Sequence, residues 1–204
     1  MGKRNAEAIE AYTERRLRWL LDQTSESVCK ATLAELRRGV GRTPGEFPRL
    51  WGMLLDTMPE ELQGRSMEPS REETAVYTAL TLFAVHQQGW DPKKEPMHRR
   101  GCEIGAAIAQ LVPAGDENAR ERIERRFTRA ATSLDMAELA HHLRGLVQQL
   151  SAQGIPVDWA KLAGQLYLYQ FPDLIAGVRL RWGESFYRAL NRNEKTIEGG
   201  KENP

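Results

Sequence analysis

The chain has 204 residues, 41% of them hydrophobic and 28% charged, with 29 Lys and Arg set against 28 Asp and Glu. That is the size of one large domain or two small ones with a real apolar core, and a formal charge of +1 removes overall basicity as an argument for a nucleic-acid partner. No apolar run is long enough for a membrane-spanning helix, and Cys29 and Cys102 form no CxxC pair, which excludes zinc-ribbon and thioredoxin-like chemistry.

In chain order, "MGKRNAEAIEAYTERR" shows no apolar signal region, and Ala6 breaks the myristoylation pattern; with only two cysteines, far apart, a reducing cytoplasm is expected. Ile9, Tyr12, Leu17, Leu20 and Leu21 recur at helical spacing. "SESVCKATLAELRRG" opens with a capping Ser, carries Glu in its first turn and stops at Gly39. A Gly/Pro-rich connection follows, and Phe47, Leu50, Trp51, Leu54 and Leu55 resume a helical stripe that Pro59 ends. "PSREETAVYTALTLFAVHQQG" reads as a long apolar helix, with Ser70 as N-cap, Glu73 completing a capping box and Gly89 as stop. "WDPKKEPMHRR" is a polar loop, and "GCEIGAAIAQLV" a short helix with one small-residue face, suited to close packing.

The cluster "PAGDEN" marks a candidate boundary. Four more helices are expected at Glu117–Thr132, Met136–Ala152, Asp158–Gln170 and Asp173–Asn191, with Asp135 and Asp158 as N-caps and Gly154 as a C-cap. No alternating strand pattern is present. The fold class is therefore all-α in two helical parts: an N-terminal helical domain (1–113) and a C-terminal antiparallel four-helix bundle (114–192). Residues 193–204 form a polar tail expected to fray.

Of the 29 basic residues 22 are Arg, and four of them fall in the ten residues "ERIERRFTRA" (121–130). GC-rich coding is one reading of this arginine bias and phosphate recognition by the planar fork another, and composition alone does not separate them. Helical spacing puts Ile123, Phe127, Ala130 or Ala131, and Leu134 on the apolar face, with Arg122, Arg126 and Arg129 along one flank and Arg125 on the far side. In the last helix Ile175, Val178, Trp182, Phe186 and Leu190 form the buried stripe, with Arg181, Ser185, Arg188 and Arg192 beside it. Further clusters are Arg37, Arg38 and Arg42 near a Gly turn, and Lys93, Lys94, Arg99 and Arg100 in the Pro-rich loop. A charged flank is ordinarily a solvated face, and Glu121 and Glu124 are placed to pair with Arg125 and Arg122.

Catalytic patterns are missing: no P-loop, no HExxH, no GxSxG. Two ExxH strings occur, Glu138/His141 and Glu95/His98, but Pro96 interrupts the second and spoils the spacing a di-iron bundle needs. His86, near a helix end, reads as a capping or packing residue. Trp51, Trp159, Trp182, Tyr167 and Tyr169 could stack on bases, yet most occupy apolar stripes and read as core.

The strings "LAELRRG", "AVYTALTLFAVHQQG", "GCEIGAAIAQL", "IERRFTRAATSLDMAELAHHLRGLVQQL" and "IPVDWAKLAGQLYLYQ", in that order from about Leu36 to Gln170, resemble the CasB family. That family is the small subunit of the type I-E CRISPR surveillance complex, Cascade. The resemblance implies an all-helical two-part fold with no catalytic activity; the broken ExxH spacing already leaves no metal expected, and no cofactor is expected either. It also implies two copies within a ribonucleoprotein, contacts to other Cascade protein subunits and no membrane. There the subunit holds guide RNA and target DNA through their backbones, stabilising the R-loop and the displaced strand. Carried over residue by residue, the nucleic-acid contacts are Arg37 and Arg38 ("LRRG"), Arg125 and Arg126 ("RRF"), Arg129, and Arg144 ("HLR"), with Arg99 and Arg100 joining them ahead of the Gly-rich helix. A helical adaptor binding only protein, its arginines held in salt bridges, is the alternative.

Overall fold

The computed structural model describes residues 2–199, and side chains over 4–193. Nine helices are present among the described residues: α1 (Gly2–Leu21), α2 (Glu26–Arg38), α3 (Trp51–Leu54), α4 (Arg71–His86), α5 (Ile104–Ala109), α6 (Glu117–Ala131), α7 (Met136–Ala152), α8 (Trp159–Tyr169) and α9 (Ile175–Gly199). The all-α class holds, and no strand occurs among the described residues.

The axis of the molecule is α4. Residues 75–86 are buried without interruption, because this helix is apolar on every side and so must be wrapped. α1, α2, α7 and α8 wrap it. Its start is fixed as expected: Ser70 Oγ accepts the Glu73 N–H at 3.0 Å, and Glu73 Oε2 accepts the Ser70 N–H at 2.8 Å. α1 lies along α8, and α5 along α9. The second pairing depends on Gly105, where a Cβ would collide with Ser185 Oγ and the Trp182 carbonyl. Helices from both sides of Pro113 thus share one buried cluster running from Ala6 to Leu190.

The aromatic residues seat the C-terminal helices. Phe127 of α6 lies 6.3 Å from Trp182 and 5.3 Å from Phe186 between ring centroids, and Tyr169 stacks on Trp182 at 5.8 Å. Trp159, Trp182, Tyr167 and Tyr169 are buried, as their stripes required. Trp51 instead is half exposed, its Nε1 donating to the Pro44 carbonyl at 3.2 Å. His86 is buried, and its Nδ1 accepts the Trp159 Nε1–H at 3.1 Å, which makes it the packing residue expected. Burial holds its pKa down at about 4.

Several boundaries differ from the sequence reading. Phe47–Leu55 is one 3-10 turn, Pro48–Leu50, and the four-residue α3 rather than one helix; a second 3-10 turn, Pro44–Glu46, precedes it, since Pro44 and Pro48 each restart the backbone at N1. Leu134 does not join the α6 stripe; it sits beyond the end of that helix with 91% of its surface exposed. α9 continues through Asn191 to Gly199, because no Pro or Gly interrupts it earlier in the polar stretch. The remaining tail, 200–204, lies outside the described residues.

The Pro-rich loop is pinned on both sides. Gln87 Oε1 accepts the Met97 N–H at 2.8 Å, and a parallel bridge joins His98 to Val157, with Val157 N–H donating to Met97 O and Arg99 N–H to Val157 O, each 3.1 Å. His98 Nδ1 accepts the Trp159 N–H at 3.2 Å, so its Nε2 carries the proton donated to Glu14 Oε2 at 2.9 Å. Burial opposes ionisation of Glu14, but the bonds from His98 and Arg18, with Arg100 nearby, hold its carboxyl below the usual range. Arg99 and Arg100 therefore stand on backbone that is fixed.

Candidate nucleic-acid interface

α6 begins at Asp116, whose carboxylate accepts the Ala119 N–H at 2.8 Å. Ala119, Ile123, Phe127 and Ala130 bury one face. At 100° per residue, Arg122, Arg125, Arg126 and Arg129 all fall within roughly 100° of arc that flanks this face, Arg126 nearest to it and Arg125 farthest. All four are exposed, and they line one depression with Ile123 and Gln149. Arg125 stands on the far side of the helix from the buried face, as its spacing predicts, and still borders the depression with its neighbours.

Two of the three carboxylates of α6 are directed elsewhere. Glu124 pairs with Arg120 at 3.1 Å and Glu117 approaches the same guanidinium at 3.9 Å, so the expected pairing of Glu124 with Arg122 is not made. Among the described residues no carboxylate lies within 4.0 Å of Arg122, Arg125, Arg126 or Arg129. Four guanidinium groups without internal counter-ions, spread over about 10 Å of helix axis, form a track that can accept a polyanion.

The track continues onto α7. Arg126, Arg129 and Gln149 also line an adjoining depression with His141, His142, Gly145, Gln148 and Ala152. Gly145 and Ala152 add no bulk to its lining, and the histidines and glutamines supply hydrogen-bonding groups. His141 and His142 sit edge to face at 5.3 Å, and His142 Nε2 is 3.7 Å from Glu138 Oε1.

Of the eight contacts expected, the structure brings Arg125, Arg126 and Arg129 together. Arg144 is exposed on α7 but lines neither depression, being 100° around the helix from Gly145. Arg38 is exposed and paired with Glu35 at 2.7 Å. Arg99 and Arg100 are exposed on the pinned loop, Arg100 lying 4.0 Å from Glu14. Arg37 is half buried, donates weakly to the Ala84 carbonyl at 3.4 Å, and lines a separate depression with Lys30, Trp90 and Asp91; burial lowers its pKa. Trp90 lines this depression, and its Nε1 donates at 2.8 Å to the carbonyl of Ser151, the neighbour in sequence of Ala152 in the α6/α7 groove.

The resemblance did not supply Arg122, Gln149 or the histidine pair. Arg122 was legible from its four- and seven-residue steps to Arg126 and Arg129; Gly145 and Ala152, seven apart, mark the α7 face that opens toward them. The two ExxH strings lie in different settings: Glu138 accepts the Leu134 N–H at 2.7 Å, while His98 is held between Glu14 and Trp159.

Fold and sequence together define a class, the all-helical CRISPR-associated proteins. The profile of the family described as CRISPR-associated protein Cse2 matches residues 32–187, and the chain belongs to that family. The crystal structure of CasB from Thermobifida fusca is 31% identical, with a TM-score of 0.70 over 88% of this chain and 97% of that one. The crystal structure of M. ruber CasB is 26% identical, with a TM-score of 0.61 over 92% and 97%. A chain of a CRISPR RNA-guided surveillance complex, 20% identical, shares the fold at a TM-score of 0.61 over 97% and 99%. No curated protein matches the chain. No helix among the described residues is long and apolar enough to cross a membrane.

Proposed function

We propose that this protein is the non-catalytic small subunit of an RNA-guided antiviral surveillance complex, Cascade, and that its α6/α7 groove grips nucleic-acid backbone. Its role is to stabilise the guide RNA–target DNA R-loop and keep the displaced strand apart. It works in the cytoplasm beside the other Cascade protein subunits and a second copy of itself. Family membership and the fold shared with a surveillance-complex chain support the setting. The observation that carries the chemistry is the set of four exposed arginines on α6 with no carboxylate within 4.0 Å among the described residues.

R-loop formation is a near-balanced exchange of one duplex for another, so a few backbone contacts tip it. Arginine on phosphate holds a strand without reading its sequence. A chain of near-zero net charge can still do this, because tethering in a complex raises the effective concentration of one basic groove. Arg125, Arg126 and Arg129 are the central contacts and Arg122 joins them. Arg37, Arg38, Arg99, Arg100 and Arg144 serve as outlying contacts for a strand that leaves the groove.

The test replaces Arg126 and Arg129 together with Ala in the assembled complex. The R-loop lifetime is expected to shorten, and the salt dependence of single-strand binding to flatten by about 1.4, roughly 0.7 for each phosphate that is no longer neutralised. Circular dichroism stays unchanged, since both side chains point to solvent. An unaltered lifetime and slope would transfer the assignment to the adaptor reading, with no nucleic-acid contact.

A further inference from the structure

A second surface lies where the turn between α6 and α7 meets the start of α9. We infer that the depression framed by Leu134, Met136, Pro172, Ile175, Arg71 and Arg179 docks a protein segment of acidic–apolar character from another subunit of the complex. This rests on the proposed membership of that complex.

Leu134 carries the apolar half of the argument. It is 91% exposed, yet its surroundings are fixed. Its N–H donates to Glu138 Oε2 at 2.7 Å. The preceding carbonyl, of Ser133, accepts from Tyr169 Oη at 2.8 Å and from Arg179 Nη2 at 3.3 Å. Asp135, which follows, caps α7 through the Glu138 N–H at 2.8 Å. A large aliphatic side chain presented on ordered backbone loses little further freedom on docking, which is what makes an anchor effective. Met136 and Ile175, both half-buried, continue the apolar floor.

The charge comes from two guanidinium groups without carboxylate partners. Arg179 bonds only neutral acceptors, the Ser133 carbonyl and, at 3.4 Å, Tyr169 Oη; its Nε is buried with no acceptor. Arg71 lies over the Phe171 ring, 4.4 Å from its centroid. Among the described residues neither has a carboxylate within 4.0 Å, and Asp135, the acidic residue of the lining, is engaged as a helix cap. A carboxylate beside an aliphatic or aromatic side chain complements this arrangement: the acid meets the arginines, and the apolar group covers Leu134 and Ile175. Phosphate backbone fits it poorly, because it would leave Leu134, Met136, Pro172 and Ile175 uncovered and would bring a like charge toward Asp135.

The experiment places the photo-crosslinker p-benzoylphenylalanine at position 134 of the full chain, co-expressed with the other subunits and the guide RNA. Irradiation is expected to give an adduct to a different subunit, mapping within about five residues of an Asp or Glu, the span of one helical turn and a little more. An adduct to nucleic acid, an adduct to a second copy of this chain, or no intermolecular adduct would each overturn the inference. A second variant, Leu134→Asp, is expected to lower the amount of this chain in the purified complex roughly tenfold, as loss of an anchor does. Its circular dichroism and single-strand salt slope should match wild type, and undiminished occupancy would also overturn the inference. Failure of the unsubstituted chain to co-purify at all would overturn the membership itself, and this docking with it.

Discussion

Arg16 and the arginines of α6 are the same residue in opposite circumstances. Arg16 is 5% exposed; its Nε donates to the Met53 carbonyl at 3.0 Å, its Nη2 to the Gly52 carbonyl at 2.9 Å, and Asp56 lies 3.7 Å from Nη1. Every direction of its fork meets an acceptor inside the chain, and it ties α1 to α3. On α6 the acceptors are missing, and the forks face solvent. The charge count cannot separate these cases. What separates them is whether the fold supplies carbonyls and carboxylates within reach. A guanidinium so supplied is structural, and one left without is available to a ligand.

Arg16→Ala gives the largest effect that can break this comparison. It leaves two carbonyls facing a void, and a loss of roughly 3 kcal/mol in urea unfolding is expected, with the α6/α7 groove untouched. A cost below about 1 kcal/mol, the range of exposed pairs, would put Arg16 in the same category as the α6 arginines.

Acid sharpens the comparison next, through His86. Its pKa is about 4 in the fold against an ordinary 6.5, so between those values the unfolded chain binds more protons and stability falls as pH falls. From above pH 6.5 down to pH 5 the His86 contribution to this loss is about 2 kcal/mol. His86→Gln should flatten the stability–pH curve over that window, and a curve of unchanged slope would mean that the ring is not held neutral. The smallest effect compares Arg122 with Arg144. Arg122→Ala is expected to reduce the single-strand salt slope by about 0.7, and Arg144→Ala by less. Equal changes would mean that the groove is not the principal track.

The fold was legible wherever local chemistry decides it. The Ser70/Glu73 box, the caps at Asp135 and Asp158, and the stripe Val178–Trp182–Phe186–Leu190 all stand where spacing put them. It was less legible where a choice depends on a distant partner. Glu124 could turn toward Arg120 or Arg122, and spacing allows both. Leu134 fits the α6 periodicity, but the helix ends three residues earlier, and Glu138 and Tyr169 hold the turn from elsewhere in the fold. The site was half legible. The residue types and their resemblance pointed to α6, whereas the partition of the remaining arginines among Glu35, Glu14 and the Ala84 carbonyl required three-dimensional neighbours.

α4 has one more consequence. A helix with no wet face over residues 75–86 allows no sliding joint beneath it, since any shear of its wrapping would open apolar surface to water. The helices packed on it, α1, α2, α7 and α8, are therefore held in fixed places relative to one another, and the α7 wall of the groove with them. In the role proposed above, a flexible strand laid along that wall would take up the protein's spacing rather than impose its own.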